Sequence, residues 1–158
     1  MSSEILKTDI CIIGAGAGGL VVAAVAAQLG IETVLIERDK MGGDCLNYGC
    51  VPSKALLVAA HAAETLRSAG RFGISPGSLD IDGQKVFEHV QAAIDEIAPH
   101  DSVERFEDYG VNVILGEGKF SGPREVTVGD QRIHARRFVI ATGSGPFVPP
   151  IPGLDSTP

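Results

Sequence analysis

Two cysteines that stand five positions apart have the clearest capacity for chemistry in this chain of 158 residues. Cys45 and Cys50 lie in the segment GGDCLNYGCVPSK, where Gly49 and Pro52 punctuate the loop at the start of a predicted helix. This spacing lets their Cα atoms approach to the distance of about 4.4–6.8 Å that a disulfide needs. Closing so small a loop adds little stability, which favours a redox role over a structural one. The helix N-terminus is expected to lower the pKa of a thiol there.

A glycine motif precedes the cysteines. Gly14, Gly16 and Gly19 form the pattern GxGxxG between a predicted strand and a predicted helix. In this pattern the first glycine permits a tight turn, the second lets a pyrophosphate approach the backbone, and the third lets helix and strand pack closely. Glu37 follows 18 residues after Gly19, at the end of the next predicted strand, where a carboxylate accepts hydrogen bonds from an adenosine ribose. The motif in this context predicts a dinucleotide site but does not by itself separate FAD from NAD.

Regular elements must hold these residues in place. The apolar run 8–13 predicts a parallel strand buried on both faces, and the segment 16–29, rich in Ala and Val, predicts a helix that Gly30 ends. A second strand over 33–36 completes a βαβ unit. Because residues 10–31 carry no charge, a membrane span is the alternative for this segment, and the five glycines within it argue against that alternative.

The remaining sequence predicts helices followed by short strands. Apolar spacing predicts a helix over about 50–69, and a surface connection over 71–84 follows it. Helical periodicity returns from residue 86 to 97, after which Pro99 should kink or restart the helix before Val103, Phe106 and Gly110. From residue 111 the period changes to that of a β-meander, with the strands VNVIL, EVTV and RIHA, a Gly129-Asp130 turn and a final apolar run over 138–141. The expected fold class is therefore α/β, a parallel sheet with flanking helices and a small β-meander.

Composition narrows the class of protein. The chain is 44% apolar and 21% charged, which excludes intrinsic disorder. Thirteen basic and 20 acidic residues give a net charge of −7, which opposes binding to nucleic acid or to an anionic membrane. Three cysteines are too few for a secreted disulfide scaffold, and the first nine residues lack a signal-peptide pattern, so a cytoplasmic location is expected.

Taken together, these motifs resemble those of the class I pyridine nucleotide-disulfide oxidoreductases, the family of dihydrolipoamide dehydrogenase, mercuric reductase and glutathione reductase. The resemblance covers essentially the whole chain. It rests on GAGAGG with Glu37, on the cysteine segment, on GEGKF at 116–120, and on ATGS at 141–144 followed by PPIPG. It implies a Rossmann-like FAD-binding domain over residues 1–150, with the start of a connection to an NAD(P)-binding domain over 151–158.

The resemblance also assigns roles to individual residues. It implies that Cys45 meets the substrate, that Cys50 contacts the flavin and that Lys54 lies near the isoalloxazine, although spacing alone leaves Lys54 open as a solvated lysine. It implies cofactor contacts at ten further positions: Gly14, Gly16, Gly19, Glu37, Arg38, Gly43, Gly118, Ala141, Thr142 and Gly143. Asp44 and Tyr48 stand where other members often carry Thr and Val, and they say little about the substrate. Cys11 is interpreted as a small buried core residue. No metal site is predicted, and the four histidines match no catalytic position.

The activity that the resemblance implies is an NAD(P)H-dependent reductase in which electrons pass between nicotinamide, FAD and the Cys45–Cys50 pair. The PSK ending of the cysteine segment is closer to lipoamide dehydrogenases and mercuric reductases than to glutathione reductases. A small disulfide or mercuric ion is therefore the expected substrate, with NADH and NADPH both open. Because the family's NAD(P)-binding, return and interface segments are absent from these residues, the chain is expected to be an inactive fragment of a homodimeric parent. A stand-alone module that binds a nucleotide and senses redox state without turnover is the alternative.

Overall fold

Six strands form one sheet in the computed structural model, which describes residues 5–75, 77–145 and 147–156. The strands are β1 (Ile5–Ile13), β2 (Thr33–Glu37), β3 (Asn112–Leu115), β4 (Gly118–Gly122), β5 (Glu125–Val128) and β6 (Gln131–Ile140). Their order across the sheet is β3-β2-β1-β6-β5-β4. The first four of these are parallel, whereas β5 is antiparallel to both β6 and β4. The predicted α/β class, with a parallel sheet and a meander, is confirmed, and the predicted outer boundaries at residues 1 and 158 lie outside the described residues.

Helices flank this sheet. Within the described ranges they are α1 (Ala17–Gln28), α2 (Gly43–Asn47), α3 (Cys50–Ser68), α4 (Gly83–Ile97) and α5 (Val103–Asp108), with 3₁₀ turns at Ala69–Phe72, Ala98–Asp101 and Leu154–Ser156. Pro99 falls in the second of these turns, which separates α4 from α5 as predicted, because proline cannot donate a helical hydrogen bond. α4 begins inside the predicted surface connection, since the Asp82 carboxylate caps it by accepting a hydrogen bond from the Lys85 N–H at 3.2 Å.

Apolar side chains cover both faces of the sheet at its centre. Successive residues of a strand point to opposite faces, so Cys11 and Ile13 join one buried cluster and Ile12 joins the other. The first cluster is completed by side chains of β2, β5 and β6, and the second by Leu20 of α1 and Phe106 of α5. Burial on both faces explains why the end of β1, residues 10–13, and most of β2 read as continuous apolar runs.

Cys11 is fully buried in the first of these clusters. Burial raises the pKa of its thiol to about 12, so the side chain stays protonated at neutral pH. Its interpretation as a small core residue is confirmed.

The segment 10–31 forms the end of β1, a glycine turn and α1. α1 ends at Gly30, whose φ of +70° is left-handed. The N–H groups of Gly30 and Ile31 donate to the carbonyls of Ala27 and Ala26 at 2.9 and 3.0 Å, which is the Schellman pattern of a helix C-terminus. In the described parts of the chain, no helix is long and apolar enough to cross a bilayer.

The meander differs from its prediction because β6 is one long strand. The segment RIHA and the apolar run that follows it are continuous, since β6 pairs in parallel with β1 from Ile5↔Arg132 to Ile13↔Ile140. The same pairing starts β1 three residues before its predicted beginning. β4 is not predicted by its sequence, GKFSG, because its two glycines have low strand propensity and its pairing with β5 is set by the fold.

Candidate functional site

The carboxyl ends of the parallel strands meet along one edge of the sheet, where open α/β folds bind ligands. A cleft of about 380 Å³ opens at this edge, within the size range of ligand pockets. β1 ends just before Gly14, β2 ends at Glu37, and β6 ends just before Ala141. Nine of the predicted cofactor residues line the cleft: Gly14, Gly16, Glu37, Arg38, Gly43, Gly118, Ala141, Thr142 and Gly143.

Backbone hydrogen bonds fasten the strand ends to one another beside this cleft. The Gly14 N–H donates to the Ile36 carbonyl at 2.8 Å, and the Ala141 N–H donates to the Ile13 carbonyl at 2.8 Å. A third bond joins the Gly116 N–H to the Glu37 carbonyl at 2.7 Å. These three bonds hold the walls of the cleft at fixed separations.

Gly14 makes the turn that leaves β1. Its φ is +105°, a conformation that side chains other than glycine rarely adopt. A Cβ on Gly14 would also collide with the carbonyl oxygen of Ala141, so the close approach of the β1 and β6 ends depends on glycine at this position.

Bare backbone forms the floor of the cleft. Gly16 caps α1 with φ −79° and ψ −178°, and a Cβ placed there would meet only the Cα of Gly43, at 3.8 Å. A Cβ on Gly43 would stand 2.6 Å from the Gly16 Cα. The first N–H groups of a helix lack partners within the helix, and this end of α1 carries its positive partial charge. The floor therefore suits an anion that approaches the backbone closely.

Gly19 does not line the cleft, and its role is to let α1 pack on the turn. A Cβ on Gly19 would collide with the carbonyl oxygen of Gly14, whereas a Cβ on its neighbour Gly18 would meet nothing within 4 Å. We expect Gly19→Ala to lower the free energy of unfolding by about 1–3 kcal/mol through overpacking. Gly18→Ala is the matched control, and we expect it to be neutral or to stabilise α1 by about 0.5–1 kcal/mol. Denaturant unfolding of both variants measures the difference, and equal stabilities would contradict this packing role.

Glu37 is buried and firmly held. Its carboxylate accepts a hydrogen bond from the Ala15 N–H at 2.6 Å through one oxygen and from the Asp39 N–H at 2.8 Å through the other. Each carboxylate oxygen can accept more than one hydrogen bond. The backbone therefore fixes the orientation of the carboxylate and leaves it capacity for a ligand hydroxyl.

The cysteines lie on two consecutive helices beside the cleft. Cys45 is in α2, and Cys50 is the first residue of α3. Both are free thiols, with Cys45 half-buried and Cys50 exposed. Hydrogen bonding to the Cys50 sulfur raises the pKa of Cys45, burial raises it further, and the positive charge of Lys54 opposes both. The expected lowering of a thiol pKa is therefore not found at Cys45, which lies within α2 and not at the start of the long helix.

The cleft lining does not include Cys45, Cys50 or Lys54. Cys45, however, lies on α2, which reaches the cleft. Gly43 and Asp44 of α2 line the cleft, as does Tyr48, which follows α2. The helix that carries Cys45 is thus also one edge of the cleft.

One side chain that the sequence did not indicate, Asn47, holds α2 in this position together with backbone hydrogen bonds. The Asn47 side-chain amide donates to the carbonyls of Met41 and Gly43 at 3.0 and 2.8 Å. The carbonyl of Asp44 accepts hydrogen bonds from the N–H groups of Tyr48 and Gly49 at 2.9 and 2.6 Å. Asn47 stands between Leu46 and Tyr48, and no turn pattern or spacing in the sequence marks it for this role.

The cleft lining also includes residues absent from the sequence-based set, namely Asp39, Lys40, Asp44, Tyr48, Glu117, Ser144 and Gly145. Most of them stand next in sequence to a predicted contact, at the end of a strand or at the start of α2. Adjacency to a strand end was therefore the signal that could have found them.

Comparison with known proteins supports one family. The family model for pyridine nucleotide-disulphide oxidoreductases matches residues 8–157. A dihydrolipoyl dehydrogenase of Bacillus subtilis (strain 168) is 36% identical over 161 residues, which cover 93% of this chain and 33% of that protein. A mercuric reductase of Bacillus cereus is 35% identical over 147 residues, which cover 93% of this chain and 23% of that protein.

A solved structure shows the same fold. The HOCl-induced flavoprotein disulfide reductase RclA from Escherichia coli, determined as a Cu(II) complex, superposes with a TM-score of 0.74 at 27% sequence identity, over 95% of this chain and 31% of that one. The chain thus spans about a third or less of the length of these three proteins. Because the family model covers almost all of its residues, the chain belongs to the pyridine nucleotide-disulphide oxidoreductase family.

Proposed function

We propose that this chain forms the FAD-binding part of an NAD(P)H-dependent oxidoreductase that reduces a small disulfide or mercuric ion, with Cys45 and Cys50 as its redox-active pair. One observation carries the proposal. The cleft at the strand ends gathers the glycine turn, Glu37 and the Ala141–Thr142 segment, and its edge is the helix that bears Cys45. Membership of the family supports the same cofactor class.

The described residues fit a dinucleotide of this kind. The Gly16 position leaves open the space that a pyrophosphate would occupy, and a larger side chain there would fill it. The Glu37 carboxylate, fixed by two backbone N–H groups, is placed to accept hydrogen bonds from a ribose. Gly118 has little room for a side chain, since a Cβ there would lie 3.4 Å from methyl groups of Ile36 and Val126. We propose that the remaining cleft residues of the sequence-based set, Arg38, Gly43, Ala141, Thr142 and Gly143, also contact the cofactor.

FAD, when bound, supplies the two-electron transfer between nicotinamide and the cysteine pair. The chain's own residues carry out the thiol chemistry. The thiolate of Cys45 attacks the substrate disulfide and forms a mixed disulfide, releasing one substrate thiol. Cys50 then attacks the Cys45 sulfur, which releases the second substrate thiol and forms the Cys45–Cys50 disulfide. Two electrons and two protons have then moved to the substrate.

Lys54 favours the thiolate form of Cys45. Its ammonium lowers the pKa of Cys45, against the effects of Cys50 and of burial. We therefore propose that Lys54 promotes formation of the attacking thiolate in addition to any contact with the flavin.

The names of the relatives support two substrate classes, which are lipoamide-type disulfides and mercuric ion. We propose that the whole protein is longer than this chain and acts in the cytoplasm as a homodimer. We also propose that it binds the nicotinamide outside residues 1–158, since the single GxGxxG motif here is assigned to FAD. The purified full-length protein should contain flavin and should oxidise NADH or NADPH with one of these substrates. Protein that neither contains nor takes up FAD would overturn the proposal.

FAD should reverse the order in which the two cysteines react. In reduced, flavin-free protein we expect a limiting amount of iodoacetamide to label Cys50 before Cys45, because Cys50 is exposed and Cys45 is half-buried with a raised pKa. With FAD bound we expect Cys45 to be labelled first, because the flavin would cover Cys50. Labelling of Cys45 should also accelerate as the pH rises toward its pKa. Fragment-ion mass spectrometry distinguishes the two sites, and preferential labelling of Cys50 in the FAD complex would contradict the assigned roles.

A further inference from the structure

Lys40 and Tyr48 form a pair at the mouth of the cleft. The Lys40 ammonium lies 5.1 Å from the centroid of the Tyr48 ring, within the range of a cation–π contact, and both side chains line the cleft. Tyr48 is 62% exposed. Hydrogen bonding to the Tyr48 hydroxyl raises the pKa of Lys40, which keeps the ammonium charged.

The backbone ties both members of this pair to the cleft floor. The Lys40 carbonyl accepts a hydrogen bond from the Gly43 N–H at 3.2 Å, and Gly43 is the residue that faces Gly16. The Tyr48 N–H donates to the Asp44 carbonyl at 2.9 Å. The backbones of Lys40 and Tyr48 are therefore both joined to the helix that borders the anion-binding floor.

The charges of the residues that line the cleft indicate a role for the Lys40 ammonium. Among the described residues of the lining, four are acidic and two are basic: Glu37, Asp39, Asp44 and Glu117 against Arg38 and Lys40. Glu37 is satisfied by backbone N–H groups, and Glu117 pairs with Lys119 at 3.0 Å. Asp39 is exposed, its negative charge is one of the causes that raise the pKa of Lys40, and within the described ranges it forms no ion pair. A dinucleotide diphosphate brings further negative charge to this place, and like charges that meet out of bulk water repel strongly.

We propose that Lys40, held by Tyr48, is a cofactor-binding residue whose ammonium contacts the diphosphate of the bound dinucleotide and offsets the charge of Asp39. The inference rests on the proposed function and deepens it, because it names the cation that makes an acidic cleft accept an anionic cofactor. Tyr48 acts as a positioning residue, since it touches Lys40 and not the diphosphate.

Equilibrium binding of FAD to purified, flavin-stripped protein tests this inference, with bound flavin followed by fluorescence. Lys40→Gln should weaken FAD binding about tenfold at low ionic strength, the typical value of one charge-assisted contact, and the loss should shrink as salt is added. Lys85→Gln is the matched control, because it removes the same charge from an exposed position on α4, outside the cleft. Tyr48→Leu should weaken binding about threefold, since Lys40 is then present but no longer held by the ring. Asp39→Asn introduced into Lys40→Gln should restore most of the lost affinity.

The results of these binding measurements distinguish a failure of this inference from a failure of the proposed function. A wild-type protein that does not bind FAD would overturn the proposed function and this inference together. Normal FAD binding by wild type, with Lys40→Gln indistinguishable from Lys85→Gln, would overturn this inference alone. A tenfold loss that Asp39→Asn fails to restore would refute the charge-offset role of Lys40. Each flavin-free variant should unfold at the same midpoint as the wild-type protein. This control shows that the measured affinities reflect binding and not folding.

Discussion

Replacing either Cys45 or Cys50 by serine should abolish substrate reduction, with a loss of about a thousandfold or more in turnover. A serine hydroxyl neither forms a disulfide nor ionises at neutral pH, so one remaining thiol cannot carry two electrons to the substrate. The fold should persist, because Cys45 is half-buried, Cys50 is exposed, and neither belongs to the two core clusters. Steady-state oxidation of nicotinamide with lipoamide or mercuric ion as acceptor measures the effect in the full-length protein.

Cys11→Ala is the control for these variants. Cys11 lies in the core, so its loss should cost about 1 kcal/mol of stability and leave turnover close to that of wild type. A serine variant at position 45 or 50 that kept more than about a tenth of the activity would argue against a redox role for the pair.

Gly16→Val should eliminate FAD binding, weakening it by about a hundredfold or more, while the protein remains folded. The backbone at Gly16 has angles that any residue adopts, and a Cβ there meets only the Gly43 Cα at 3.8 Å. The valine methyl groups would therefore project into the space proposed for the pyrophosphate without straining the polypeptide. Flavin titration measures the affinity, and denaturant unfolding of the flavin-free protein measures the stability.

Gly18→Val adds the same side chain two residues further along, at an exposed position where a Cβ meets nothing within 4 Å. We expect this control to bind FAD as wild type does. If Gly16→Val retained its flavin, the assignment of the cleft floor to the pyrophosphate would be wrong.

Local patterns predicted the elements that depend on local physics. The apolar runs of β1 and β2 and the left-handed Gly30 each carry their signal within a few residues. The Gly129-Asp130 turn does so as well, because it joins β5 to β6 by two residues. The GxGxxG turn was predictable because its pattern is local, and Gly19 contacts only the adjoining turn and strand. Gly14 and Gly16 also face the distant residues Ala141 and Gly43.

Features set by pairing between distant residues were not predictable in this way. The continuity of β6 depends on its register with β1, more than 120 residues earlier in the chain, and β4 depends on its pairing with β5. The contact between Lys40 and Tyr48 exists because α2 folds back beside the end of β2, and no periodicity in the sequence signals it. The sequence also carries no measure of exposure, so it did not show that the polypeptide alone leaves Cys50 more open than Cys45.

The three hydrogen bonds that fasten the strand ends beside the cleft bear on how far related sequences can diverge. Main-chain atoms alone make these bonds, from Gly14 to Ile36, from Ala141 to Ile13 and from Gly116 to Glu37. Substitution of a side chain does not remove a backbone donor or acceptor unless proline is introduced. The cleft therefore keeps its shape through extensive sequence drift, provided that glycine is retained where a Cβ would collide.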